Sequence, residues 1–218
     1  MKVIEFYTEI ASAYHDDDDF GYEHLRPFLA ALPRGASVLD VGCGPGNQIK
    51  VGLEHGLAMH GCDGSSGMIA VAKKRFAQVP FTQSDVRELP FSDRQFDAVI
   101  CRAVLLHLDA EDGIKVIREI RRSLKPRGRL FLFTTQGAGV GETRHHSLAK
   151  DFGLPPIFFF HWDPVALAEA VQDSGFEILK HDKIEFSGAG GLVVSIILAE
   201  VPEPKPSHQS DTRLLSTS

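Results

Sequence analysis

Val38-Leu39-Asp40-Val41-Gly42-Cys43-Gly44-Pro45-Gly46-Asn47 runs an apolar strand straight into a glycine-rich turn. A buried strand that ends in such a turn and opens a helix lets backbone approach a ligand closely and aims free N–H groups at it. A lone glycine triplet is a weak signal, and Gly137, Gly139 and Gly141 repeat the alternation farther along the chain. The first triplet, however, has an acidic partner. Asp63 closes the next strand 21 positions after Gly42, where a carboxylate meets the two hydroxyls of a ribose. Nothing acidic follows the second triplet in that way, so the first is read as the site and the second as a flexible hinge.

The spacing also separates one nucleotide ligand from another. A dinucleotide fold wants G-x-G-x-x-G, but position 47 is Asn and the third glycine, Gly46, comes one residue early. Asp40, at the end of the first strand, repels phosphate and suits an amino group or a cation instead.

Working outward, apolar runs alternate with helical periodicity from 37 to 200, the signature of a parallel sheet covered by helices on both faces. Strands are predicted at 37–41, 58–62, 81–84, 96–101 and 129–134, each leading into a helix, with two more at 176–181 and 192–198 as a closing hairpin. Helices are predicted at 47–55, 66–76 and 111–124, the last with Ile114, Ile117, Ile120 and Leu124 on one stripe. Another opens at Asp163 as N-cap with Pro164 at the first helical position, and Gly175 stops it. The expected fold is therefore α/β, a Rossmann-like three-layer sandwich on a seven-stranded, mostly parallel sheet with one antiparallel strand at the C-terminal end.

Three segments lie outside that alternation. Residues 1–35 read as a helical lid interrupted by a solvated acidic run at 16–19, 136–162 as a long insertion in the 36–200 domain, and 201–218 as a Pro- and Ser-rich disordered tail. The 218 residues are 43% hydrophobic and 24% charged, enough for one domain with a real core. A net charge of −6 argues against non-specific attraction to nucleic acid or anionic lipid. The sequence has neither the roughly 18–20 consecutive apolar residues of a membrane span nor a signal peptide's apolar stretch, so a cytoplasmic location is expected. Cys43, Cys62 and Cys101 form no CxxC pair and are read as buried thiols of a reducing compartment.

With these residues in view, the chain resembles the class I S-adenosylmethionine-dependent methyltransferases, and most closely their small-molecule branch with the ubiquinone/menaquinone-methyltransferase-like pattern. The matching stretches are Asp40 to Gly46, Gly61-Cys62-Asp63, Ser84-Asp85-Val86, Leu89 to Asp97, His107, and Leu124 to Leu130, in the family's order and spacing. The resemblance implies S-adenosylmethionine as cofactor. Gly42, Gly44 and Gly46 would make room for its methionine part with Asp40 near the ammonium. Asp63 would accept from the ribose hydroxyls, Asp85 from the adenine amino group, and Met68 and Val86 would flank the ring. One departure stands out: Gly64 follows Asp63 where the family usually carries an apolar residue, which leaves part of the adenine packing unassigned.

The stretch Ile100 to Leu108 is where acceptor chemistry usually sits. It lacks the Asn/Asp-Pro-Pro-aromatic loop of nucleobase amino-group enzymes and the acidic pair that a magnesium-dependent catechol enzyme needs. His107 is read either as a general base or as support for the loop beside the cofactor. Arg102 is read either as a contact for an anionic acceptor or as part of a structural ion pair. The leading segment resembles the family's lid helix, on which Tyr7 and Tyr14 share a face and either line the site or pack on the domain. His145, Phe159 and Trp162 in the insertion are candidate contacts for an apolar or aromatic acceptor, or else anchors for a long loop. No metal is expected, since His145, His146 and His161 lack partners at ligand spacing.

The expected activity is methyl transfer to an O, N or C nucleophile of a small molecule. The alternatives are a tRNA or protein acceptor, or a non-catalytic cofactor-binding regulatory protein.

Overall fold

The computed structural model describes residues 2–14, 22–144, 149, 151–186 and 192–204. The acidic run at 16–19, His145, His146 and most of the 201–218 tail lie outside the described residues. The elements are α1 (Val3–Ile10), α2 (Tyr22–Ala30), β1 (Ser37–Val41), α3 (Asn47–Glu54), β2 (Ala58–Asp63), α4 (Ser66–Arg75), β3 (Phe81–Gln83), β4 (Phe96–Arg102), α5 (Ala110–Ser123), β5 (Leu124–Thr135), β6 (Val140–Arg144), β7 (Ile157–His161), α6 (Pro164–Asp173), β8 (Glu177–Phe186) and β9 (Leu192–Glu200). None of the described helices is long and apolar enough to cross a membrane.

Seven strands form one sheet in the order β3-β2-β1-β4-β5-β9-β8. Parallel pairing joins β1, β2, β3, β4 and β5, while β9 runs antiparallel to both β5 and β8. The expected mixed sheet is present, with its single antiparallel strand last in the chain and next to last in the sheet. Strand order reverses between β1 and β4, so the loops after these two strands diverge to opposite faces and leave a crevice at their carboxyl ends.

Burial explains the three layers. One sheet face packs Leu25, Phe28 and Leu29 of α2, Ile49 and Val51 of α3 and Ile69 and Ala72 of α4 against Val38, Ala98, Ile100, Phe131 and Phe133. The other face packs Val116, Ile117 and Ile120 of α5 and Leu167, Ala170 and Val171 of α6 against Leu39, Val41, Val99 and Leu132. Helix starts follow the side chains that satisfy their free N–H groups. Ser65 Oγ accepts from Met68 N at 3.1 Å, Asp109 Oδ1 from Asp112 N at 2.9 Å, and Asp163 Oδ1 from Val165 N and Ala166 N at 3.0 and 2.9 Å.

Two expectations are corrected. The third and fifth strands do not lead into helices. Residues 84–95 form a loop because Pro90 removes a helical donor and because Arg122 of α5 pins it, donating to Phe91 O at 2.7 Å, Leu89 O at 2.9 Å and Asp93 Oδ1 at 2.9 Å. After β5 the insertion makes a second, two-stranded antiparallel sheet of β6 and β7. The second glycine triplet belongs to that ribbon and is no hinge. Gly137 N and Gly139 N donate to Trp162 O and His161 O at 2.8 and 2.9 Å, and a Cβ on Gly141 would lie 2.4 Å from the Phe158 ring.

Candidate active site

The glycine turn after β1 is shaped by what it must avoid. Gly42, Gly44 and Gly46 have φ of 70°, 50° and 89°, which L side chains rarely adopt. A Cβ on Gly42 would sit 2.3 Å from Val104 Cγ2, so the turn can reach the loop after β4 only without a side chain. A Cβ on Gly44 meets nothing within 4 Å and would project into a cavity of about 590 Å³. Arg75 of α4 braces the turn from behind, donating to Pro45 O at 2.8 Å and Asn47 Oδ1 at 2.7 Å.

That cavity is walled by the carboxyl ends of four strands. Gly42 to Pro45, Asp63 to Ser65, Asp85 to Arg87 and Arg102 to Val104 all line it, with Met68, His107, Tyr7 and Tyr14. Asp63 is half-buried, and its two oxygens staple two of these loops together: Oδ2 accepts from Gly44 N at 2.9 Å and Oδ1 from Ser65 N at 2.8 Å. Burial raises its pKa and the two N–H groups partly offset the rise. Each oxygen retains a lone pair for a ligand hydroxyl.

Asp40 is 1% exposed, and its Oδ2 has no hydrogen-bond partner among the described residues. Burial pushes this carboxyl well above the ordinary range; the nearby Asp63 adds to the rise and Arg102 opposes it. A buried acceptor without a donor is costly. Asp40 and Gly46 do not themselves line the cavity, a Cβ on Gly46 meeting the Phe76 ring at 2.9 Å instead. With the open space at Gly44, the unmatched Asp40 oxygen behind the turn fits a ligand that brings a small cationic donor there, as the amino-acid end of S-adenosylmethionine does.

Asp85, also on the cavity wall, is half in solvent. Arg87 holds both its oxygens, Nε to Oδ1 at 3.0 Å and Nη2 to Oδ2 at 2.6 Å, and reaches Asp112 Oδ2 at 2.6 Å on α5. Those hydrogen bonds keep the Asp85 carboxyl below the usual range. Val86, beside them, also lines the cavity.

On the acceptor side His107 is fixed at both ring nitrogens. Its Nδ1 lies 3.1 Å from Phe158 O and its Nε2 2.9 Å from Tyr7 Oη. A carbonyl oxygen only accepts, so Nδ1 carries the proton, and in the neutral ring Nε2 accepts from the Tyr7 hydroxyl. The Tyr7 and Phe159 rings stand 5.3 and 5.0 Å from the imidazole, and Tyr14 packs edge-on to Tyr7 at 5.9 Å.

Of the remaining candidates, Trp162 and Phe159 stand off the cavity wall and Arg102 lines it. Trp162, read either as an acceptor contact or as an anchor for the long loop, is 2% exposed and belongs to the core, as the second reading has it. It donates from Nε1 to Leu105 O at 3.3 Å and packs on Gly113, so it buttresses the turn that carries His107 from behind. Phe159 touches His107 without lining the cavity, whereas its neighbour Phe158 lines it. Arg102, only 9% exposed, places its guanidinium 5.1 Å from the Tyr22 ring and 5.2 Å from the Phe133 ring, with cation–π contacts on both.

Sequence reading missed Ser65, Arg75 and Arg87. Ser65 had a readable signal, standing three residues before Met68 where an N-cap belongs, and Arg87 stands two residues after its partner Asp85; Arg75 had none, since Pro45 and Asn47 come from another element. Among the described residues no cluster of His, Cys, Asp and Glu is arranged to hold a metal ion.

Residues 39–132 match the family described as "Methyltransferase domain". Over 177 residues the chain is 27% identical to "Probable tRNA methyltransferase 9B" of Bos taurus, covering 80% of this chain and 36% of that protein. Over 153 residues it is 31% identical to malonyl-[acyl-carrier protein] O-methyltransferase of Enterobacter lignolyticus, covering 69% and 60%. The chain thus spans less than two thirds of either relative. Among solved structures, 1,6-didemethyltoxoflavin-N1-methyltransferase of Burkholderia thailandensis aligns with a TM-score of 0.66 at 22% identity, over 91% of this chain and 88% of that one, which is a likeness of fold.

Proposed function

We propose, from the premise that residues 39–132 are a methyltransferase domain of the class I S-adenosylmethionine-dependent family, that the chain methylates a small molecule with an apolar or aromatic body. The cofactor supplies an activated methyl group on sulfur. Asp63 would hold the ribose hydroxyls, Asp85 and Val86 the edge of the adenine, Met68 its face, and Asp40 the ammonium beside Gly42, Gly44 and Gly46.

The observation that supports the acceptor class is the aromatic wall of the cavity, made by Tyr7 of α1 with Tyr14, His107 and Phe158. A cavity of about 590 Å³ lies within the usual small-ligand range of roughly 300–1,000 Å³ and has room for little beyond the cofactor and a small acceptor. Displacement at the methyl carbon needs alignment and exclusion of water above all. These aromatic rings and the lid formed by residues 2–14 provide both. Where the nucleophile carries a proton, the Tyr7 oxygen receives it while the Tyr7 proton passes to His107 Nε2, and Phe158 O steadies the Nδ1–H of the resulting imidazolium. His107 therefore acts through Tyr7.

A tRNA acceptor is the second reading, supported by the name of the Bos taurus relative. The net charge of −6 weighs against it. Incubation with methyl-labelled cofactor and two substrates, a fractionated metabolite extract and total tRNA, tests both. Label in a small-molecule fraction is the expected result. Label confined to tRNA would replace the first reading with the second, and tight cofactor binding without label in either would point to a regulatory protein.

A further inference from the structure

The family pattern leaves a gap at Gly64, where a side chain beside the ribose carboxylate would cover the adenine. In the structure that space is filled from elsewhere in the chain. A Cβ built on Gly64 would lie 2.9 Å from Ile4 Cδ1 and 3.1 Å from Ile4 Cγ1. Ile4 belongs to α1, sixty positions away in sequence. It lines the same cavity as Asp63, Gly64, Asp85 and Val86.

Two further features show that α1 is seated there by design of the surface beneath it. Gly67 has no room for a side chain, since a Cβ would lie 2.6 Å from Thr8 O and 3.0 Å from Ala11 Cβ. Thr8 Oγ1 and Ser65 Oγ share a hydrogen bond of 2.9 Å. The run Gly64-Ser65-Ser66-Gly67 is thus a notch of small residues that receives one face of α1. Phe6, Ile10 and Ala11 anchor that helix against Met68 in a buried cluster. Ile4 alone among the apolar residues of α1 stays 45% exposed as a large hydrophobic group. An exposed isoleucine on a cavity wall is the surface that a bound apolar ring would cover.

We infer that Ile4 supplies the adenine-packing surface that Gly64 lacks, so that α1 is part of the cofactor site as well as a cover for the acceptor. The inference rests on the functional reading above. Its consequence is a physical coupling: the cofactor and α1 bury Ile4 together, and each favours the seated position of the other.

The test is calorimetric and needs no turnover. S-Adenosylhomocysteine and 5′-methylthioadenosine share the adenosine, but only the first carries the amino-acid end. Ile4→Ala, which removes an exposed side chain and should leave the melting temperature of the free protein nearly unchanged, is expected to weaken both ligands by a similar factor, about five- to twentyfold from the lost apolar area. Ile4→Val should retain most of the affinity. The double variant Ile4→Ala with Gly64→Val returns an apolar group to the same place from the strand side and should recover affinity for both ligands. Wild-type binding that Ile4→Ala leaves unchanged would overturn this inference and spare the functional reading. A double variant no better than Ile4→Ala would also overturn it. Failure of the wild-type chain to bind either ligand would overturn both.

Discussion

Tyr7 Oη and His107 Nε2, one hundred positions apart in the chain, are joined by a hydrogen bond of 2.9 Å. The opposite ring nitrogen is spent on Phe158 O, so the imidazole meets the cavity through the tyrosine hydroxyl. Tyr7→Phe keeps the ring contacts with Phe6, Tyr14 and His107 and deletes only the oxygen. Its expected effect is a turnover loss of about 10²-fold or more with a protic acceptor, the scale of general base catalysis, beside an unchanged dissociation constant for S-adenosylhomocysteine. His107→Asn can still bond to Phe158 O but cannot take a proton, and it should not restore turnover. Recovery by Asn would show that His107 only supports the loop.

Asp63 bears on both stability and binding, because Gly44 N and Ser65 N converge on its two oxygens. Asp63→Ala should weaken cofactor binding by about 1–3 kcal/mol, the scale of hydrogen bonds to a charged acceptor. Thermal melting of the free protein should fall too, since two N–H groups lose their acceptor. A dissociation constant equal to wild type would show that another residue holds the ribose.

The buried Asp40 makes stability depend on pH. Its folded-state pKa is raised, by burial first, above the unfolded value, so the folded state holds a proton that the unfolded chain has already lost, and stability declines as pH rises through that window. Asp40→Asn should therefore stabilise the cofactor-free protein at neutral pH, with the gain vanishing below the ordinary carboxylate range. The same substitution should weaken binding of the cofactor's ammonium. Melting curves from pH 4 to 8 check the sign, and a variant less stable than wild type at neutral pH would refute it.

Trp162 gives a contrast between core and pocket. Its ring is packed against Gly113 and its Nε1–H is satisfied by Leu105 O. Trp162→Ala should cost about 3–5 kcal/mol by leaving a cavity, read as a shift in chemical denaturation. Gly113→Ala should cost about 1–3 kcal/mol by overpacking, since its Cβ would lie 2.4 Å from Trp162 Cζ2. A selective rise in acceptor KM with unchanged stability would instead make Trp162 a pocket residue.

Local chemistry was enough for much of this molecule. The β1 strand with its early third glycine, the acidic residues at the ends of β1 and β2, and the caps Asp163 and Pro164 each declare themselves within a few positions, because strand alternation, left-handed turns and N-caps are satisfied by neighbours in sequence. From these the parallel sheet, its layers and the ligand end of the strands followed. Packing between distant segments was not legible. Nothing in 136–162 announced that its glycines would pair with Phe158 to His161 in a ribbon, that Trp162 would turn into the core, or that Phe158 would present both a ring and a carbonyl to the site. Arg87 and Arg122 have local carboxylates in Asp85 and Glu119, but only the fold brings Asp112 to the one and Asp93 with the Leu89 and Phe91 carbonyls to the other. The gap at Gly64 was visible in the sequence, and the residue that fills it was not, because Ile4 meets Gly64 only after α1 seats on a notch that α4 and the turn before it create. What one turn or strand satisfies by itself the sequence determined; what two remote segments must bury together only the tertiary structure decided.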